Sequence, residues 1–187
     1  MIRWITGRRL CISLLTLAVL GLTGCGSEEG ASGAEPHAGY FSDFELETYD
    51  REDTVTEDIF AGYELSMINV WGTFCAPCVA EMPYLQEISE EYADKGLQVI
   101  GLCSDVFTGG AIDEELMADG QAIMEATGAT YLQLIPDQAA VDGLLSEIYA
   151  VPTTYFVDSE GNTVKVVIGG KDKAGWESVI DELLSDG

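Results

Sequence analysis

Cys75-Ala76-Pro77-Cys78 is the stretch of this chain best equipped for chemistry. Two cysteines at this spacing can close a small disulfide ring. Placed on the first turn of a helix, they meet partial positive charge and unpaired N–H groups, which favour a thiolate. On that geometry Cys75 is expected to be the exposed nucleophile. Cys78, one turn inside, would resolve a mixed disulfide. The competing uses of the pair are a structural disulfide and a metal site. A ring this short removes little chain entropy and is a poor staple. Zinc ordinarily takes four ligands. The single histidine, His37, lies in a low-complexity stretch, and the chain has no second C-x-x-C. Covalent haem attachment would require histidine where Val79 stands. The expectation is a redox-active dithiol with no metal and no cofactor.

The elements that must position this pair follow from the surrounding pattern. Leu65 to Val70 is an apolar run that reads as a buried strand, and it leads straight into the cysteines. From Cys75 to about Ala93, Val79, Met82, Leu85, Ile88 and Tyr92 fall near helical spacing, with Pro83 inside as an expected kink. Lys95-Gly96 is a helix stop. Leu97 to Cys103 is a second buried strand, Asp113 to Thr127 a helix ended by Gly128, and Thr130 to Ile135 an extended segment. Gln138 to Tyr149 reads as one helix. Thr153 to Val157 and Thr163 to Ile168 read as a hairpin joined through Asp158 to Asn162, and Trp176 to Leu184 as a terminal helix. Upstream, Tyr40 to Tyr49 alternates like a strand, and Val55 to Phe60 reads as a turn or short helix. Alternating strands and helices with a closing hairpin predict an α/β domain, a central mixed sheet flanked by helices.

The N-terminus points to a compartment. Arg3, Arg8 and Arg9 precede an apolar run from Leu10 to Leu22, too short for a comfortable membrane span. The run ends in Leu22-Thr23-Gly24-Cys25, which resembles the lipobox of bacterial lipoproteins, in which the cysteine is lipidated and becomes the new N-terminus. On that resemblance residues 1–24 are a signal peptide, Cys25 is the lipidation site, 25–39 is a flexible tether and 40–187 is the folded domain. The expected location is the outer face of the bacterial cytoplasmic membrane, where disulfides persist. Cys75, Cys78 and Cys103 then remain in the fold, so two pair and one is left over. The formal net charge is −25. Without residues 1–24, five basic residues stand against 33 acidic ones, giving −28. Such a surface argues against nucleic-acid binding.

Three blocks together resemble a known family. They are Asn69-Val70-Trp71-Gly72-Thr73-Phe74-Cys75-Ala76-Pro77-Cys78-Val79-Ala80-Glu81-Met82-Pro83, then Val151-Pro152-Thr153-Thr154-Tyr155-Phe156-Val157-Asp158, then Gly161. In this order they resemble the TlpA/ResA-like thiol–disulfide oxidoreductases, over roughly residues 40–185. The resemblance implies a thioredoxin-like fold and exchange of disulfides with partner proteins. It implies a cis-proline at Pro152, with Val151 backbone facing the cysteines, and an acidic residue near the active site at Glu81. The family usually has tryptophan where Phe74 stands. Ordinary thioredoxins bury an aspartate at the position of Asn69, so here that strand supplies no acid.

The candidate catalytic residues are therefore Cys75, Cys78, Glu81 and Pro152, and the candidate substrate contacts are Trp71, Phe74, Ala76, Pro77, Val151 and Pro152. Tyr84 and Phe107 are further aromatic candidates for a peptide groove. Glu81 otherwise reads as a solvated helix carboxylate, and Cys103 as either a buried structural thiol or a third redox partner. The function implied by the resemblance is reduction of disulfide-bearing proteins, with electrons from a CcdA-like membrane thiol donor. The alternative is a metal-delivery or solute-binding lipoprotein on the same scaffold.

Overall fold

The computed structural model describes residues 39–186 apart from residue 42. The signal segment, Cys25 and nearly all of the tether lie outside the described residues. Seven strands form one sheet in the order β2-β1-β7-β4-β3-β8-β9. They are β1 (Glu45–Thr48), β2 (Thr54–Thr56), β3 (Leu65–Trp71), β4 (Leu97–Cys103), β7 (Leu132–Ile135), β8 (Thr153–Asp158) and β9 (Thr163–Ile168). A two-residue ribbon, β5 (Phe107–Thr108) with β6 (Ala111–Ile112), stands apart. The helices are α1 (Ala76–Tyr92), α2 (Glu114–Thr127), α3 (Gln138–Asp142) and α4 (Lys173–Asp186). β3, β4 and β7 run parallel, and the other pairings are antiparallel. This is the mixed, helix-flanked sheet expected from the sequence.

β3 and β4 are buried along their whole length. Strands covered on both faces read as continuous apolar runs, which is why these two stood out in the sequence. Side chains alternate between two clusters. Met67, Trp71, Val99, Cys103 and Phe156 meet Cys78, Met82, Leu85 and Ile88 of α1 on one face, together with Trp176 and Ile180 of α4. Ile68, Val70, Ile100, Leu102 and Tyr155 meet Phe41, Phe44, Phe60 and Leu144 on the other.

Two expectations change. The strand expected over Tyr40–Tyr49 is only β1, because Tyr40, Phe41 and Phe44 fold in as an aromatic cluster. Phe41 packs edge-on against Phe60 and Tyr155, with ring centroids 6.1 and 5.5 Å apart. The helix expected over Gln138–Tyr149 stops at Asp142. Gly143 there adopts φ −95°, ψ −101°, off the helical region, and a 3-10 turn (Leu144–Glu147) follows. Pro83 lies inside α1, which runs on to Tyr92 as expected from the spacing of its apolar residues. Helix ends otherwise carry the signals read from the sequence. Asp113 accepts from the N–H groups of Glu115 and Leu116, and Gly128 closes α2 at φ 72°.

Candidate active site

The site forms where β3 ends and α1 begins. The Trp71 carbonyl accepts from both the backbone N–H and the hydroxyl of Ser104, each at 2.8 Å, which ties β3 to the end of β4. Asp105 then clamps the connecting loop. Its carboxylate accepts from the Thr73 N–H at 3.1 Å and from the Thr73 hydroxyl at 2.5 Å. The chain is thus turned so that Cys75 becomes the N-cap of α1, its Sγ accepting from the Cys78 N–H at 3.2 Å.

Cys75 and Cys78 are joined as a disulfide, with Cα atoms 5.3 Å apart. Cys78 is fully buried and Cys75 is 4% exposed. Cys75 is therefore less open than expected, because the loop carrying Val151 lies against it. Its Sγ sits 3.5 Å from the Val151 carbonyl oxygen. The Val151–Pro152 bond is cis and Pro152 is buried. That loop is held by the Thr153 hydroxyl donating to the Ala150 carbonyl at 2.7 Å and by the Gly169 N–H donating to the Pro152 carbonyl at 2.8 Å.

Glu81 lies one turn of α1 beyond Cys78 and is 2% exposed, so it is no solvated helix carboxylate. It accepts from Asn69 Nδ2 at 2.9 Å, from the Lys171 N–H at 3.0 Å and from Trp176 Nε1 at 3.1 Å. Burial raises its pKa, and the three hydrogen bonds together with the Lys171 charge offset only part of the rise.

Cys103 is free and buried, paired in register with Trp71 at the same sheet edge. Burial first, then the Asp105 carboxylate 3.5 Å from its sulfur, pushes its thiol far up. A thiol so disfavoured as thiolate is a poor nucleophile, and the environment fits a packing role.

The substrate contacts expected from sequence divide. Phe74 is 73% exposed, and Ala76 and Pro77 are exposed beside the disulfide. Trp71 is fully buried, its indole N–H donating to Gln133 Oε1 at 3.0 Å, so it cannot meet a substrate. It points into the layer beneath α1 because position 71 shares its sheet face with Met67. Tyr84 is partly exposed on α1, whereas Phe107 lines a different cavity with Glu45, Ile112 and Ile135.

Sequence reasoning missed Tyr149, which is 81% exposed. It borders, with Phe74, Asp105, Leu145, Ile148 and Val151, a groove of about 340 Å³. Its position two residues before Val151 was the available signal. Asn69 and Trp176 as partners of Glu81 carried none. Among the described residues no three His, Cys, Asp or Glu side chains cluster as metal ligands, and no helix is long and apolar enough to cross a membrane.

Comparison with known proteins agrees with this geometry. Residues 37–184 match the redoxin family. The thiol–disulfide oxidoreductase ResA of Oceanobacillus iheyensis is 34% identical over 120 residues, covering 63% of this chain and 56% of that protein's length. ResA of Bacillus cereus is 26% identical over 165 residues, covering 82% of this chain and 89% of that protein. Among solved structures, a thiol:disulfide interchange protein of the thioredoxin family from Chlorobium tepidum superposes with a TM-score of 0.64. It is 20% identical, over 82% of this chain and 99% of that one. The fold is thioredoxin-like, and the chain belongs to the redoxin family as a thiol–disulfide oxidoreductase of the ResA-like kind.

Proposed function

We propose that this protein reduces disulfides of partner proteins outside the bacterial cytoplasmic membrane, held there by a lipid on Cys25 and recharged by a CcdA-like membrane thiol donor. The observation that carries the reading is the Cys75–Cys78 pair capping α1 against the Val151–Pro152 loop, with the Glu81 carboxyl buried behind it. The lipobox-like Leu22-Thr23-Gly24-Cys25 and the acidic, tethered domain support the location.

In the reduced protein, the start of α1 stabilises a thiolate on Cys75. Its sulfur attacks a substrate disulfide. A Cys75–substrate bond forms, the substrate S–S bond breaks, and one substrate sulfur leaves as thiolate, protonated by water. Glu81 takes the proton of the Cys78 thiol, and the Cys78 thiolate attacks Cys75 Sγ. The second substrate thiolate departs, two electrons have passed to the substrate, and the Cys75–Cys78 disulfide is restored. An extended substrate segment pairs with Val151 backbone. Phe74 and Tyr149 offer it apolar surface on the groove side.

The deciding measurement is the reduction potential of Cys75–Cys78, by equilibration with dithiothreitol redox buffers. The reading expects a value near that of thioredoxin, about −270 mV, whereas about −120 mV marks an oxidant of substrates and overturns it. Fractionation of cells expressing Cys25→Ala tests the anchor separately. The variant should leave the membrane fraction or keep its signal, and unchanged processing and retention would exclude the lipid.

A further inference from the structure

Glu81 is surrounded by donors. Asn69 Nδ2 reaches Oε1, and the Lys171 N–H and Trp176 Nε1–H both reach Oε2. An ionised carboxylate satisfies all three. A protonated one does not, because its O–H needs an acceptor. The indole and the backbone amide have only N–H to present toward Glu81. Asn69 alone carries an acceptor as well.

Asn69 is completely buried. Its Nδ2 also donates to the Thr154 hydroxyl oxygen at 3.0 Å, so both of its amide protons are used. Its Oδ1 is buried with no partner. An orphaned buried acceptor beside a titratable group is a costly arrangement unless another state uses it. A half-turn of the terminal amide exchanges Oδ1 and Nδ2. Oδ1 then stands where Nδ2 stood, within reach of both Glu81 Oε1 and Thr154 Oγ1, while Nδ2 takes the place in which Oδ1 has no partner, so the turn moves the unmet capacity away from Glu81 rather than abolishing it. A protonated Glu81 can donate to it, and Thr154, an acceptor in the first state, donates in the second. The residue paired with Asn69 on β4 is Gly101, and the Gln133 amide lies over it on the side that a Cβ would take.

We propose that Asn69 is a positioning residue whose amide turns over when Glu81 takes up a proton, so that both protonation states of Glu81 are hydrogen-bonded in the same pocket. Its use in disulfide exchange rests on the proposed role of Glu81 as acceptor of the Cys78 proton. Other groups bearing on Glu81 are Lys171, in the connection between β9 and α4, whose charge favours the carboxylate, and the Tyr131 hydroxyl from the β7 side. Cys78, one turn back on α1, is held in the disulfide and does not titrate in the oxidised protein. α4 itself presents only the Trp176 indole.

The oxidised wild-type protein allows the test without interference from the thiols. Its Glu81 carboxyl carbon and Asn69 side-chain amide would be followed by NMR through a pH series. Above the Glu81 midpoint, a cross-peak from the Asn69 δ-amide protons to the Thr154 methyl is expected. Below it that cross-peak should be lost, with the same midpoint as the carboxyl carbon. An Asn69 amide that keeps one orientation through the Glu81 titration, or turns at an unrelated pH, overturns the proposal. The exchange rate of Glu81→Gln reports separately on Glu81. A turning amide together with unimpaired exchange in that variant would uphold the Asn69 assignment and remove the proton-acceptor role.

Discussion

The two faces of the central sheet bury comparable side chains but treat polar groups differently. On the face covered by Phe41, Phe44 and Phe60, Gln98 and Ser66 are buried and closed on each other. Gln98 Nε2 donates to Ser66 Oγ at 2.7 Å and to the Ile59 carbonyl at 3.1 Å. On the face covered by α1 and α4, Asn69 Oδ1 is buried without a partner, and Gln133 Nε2 and Tyr131 OH have none beyond their approach to each other. Glu81 adds a buried carboxyl to the same layer. The first face leaves Thr163 Oγ1, opposite Val157 on the edge strand β9, without a partner, but places no buried carboxyl beside it. The second tolerates unmet hydrogen-bonding capacity next to a group that titrates, and only that face touches the disulfide. Stability and chemistry are thus separated by the thickness of a sheet.

Substitutions that act on one face only would break that separation. The largest effect is expected for Phe60→Ala. Phe60 is fully buried and packs against Phe44 and Phe41 at 5.3 and 6.1 Å between ring centroids. Its loss should cost about 3–5 kcal/mol in denaturant unfolding. The thiol titration of the folded variant should not move, and a shifted Cys75 alkylation profile would show that the faces are coupled. On the other face, Trp176→Phe removes the indole N–H from Glu81. It should cost about 1–3 kcal/mol and raise the Glu81 midpoint, because the carboxylate loses a donor. An unmoved midpoint by carboxyl NMR would mean that the indole bond contributes nothing to the charge state.

How much of this was legible in the sequence follows the range of the contacts. The strand leading into the cysteines, the α1 pattern, the stop at Gly96 and the hairpin that turns through Gly161 are local, and local pattern recovers them. Gly143 is local too, but glycine tolerates both helix and break. Its ψ is set by packing, so α3 was read too long. Trp71 reads as a candidate substrate contact because alternation along a strand assigns faces in pairs without saying which one a substrate meets. Asn69 looked like the absence of an acid. Its meaning lies in Glu81, 12 residues on, whose other side-chain donor, Trp176, is 95 residues further along the chain than Glu81. No period in the sequence connects them.

The pH dependence sharpens the comparison at smaller amplitude. Burial holds the folded Glu81 pKa above its ordinary value. The native state therefore binds this proton over a wider pH range than the unfolded chain. The associated stability is fully present below the unfolded pKa, about 4.3, and is lost as pH rises through the folded value. Each unit of separation is worth about 1.4 kcal/mol. Relative to Glu81→Gln, the wild type should lose stability as pH rises from about 4 and level off once Glu81 is ionised. Parallel unfolding curves for the two proteins across that range would remove Glu81 from the pH response.

The smallest effect on stability, and the most selective effect on activity, is expected at Tyr149. The side chain is 81% exposed, so Tyr149→Ala should change stability by no more than about 0.5 kcal/mol. Tyr149 and Phe74 nevertheless border the same groove beside Val151. Exposed aromatic rings next to a reactive centre supply rigid apolar area at low entropic cost, and truncating such an anchor costs more than about 1 kcal/mol of partner binding. With a protein disulfide as substrate, kcat/KM should therefore fall about tenfold, which corresponds to about 1.4 kcal/mol. With a small aliphatic disulfide, too short to span from Cys75 to the ring, the fall should be much less. Equal losses on both substrates would place Tyr149 in support of the Val151 loop rather than against the substrate. No loss on either would leave Phe74 as the only aromatic contact on that side of the groove.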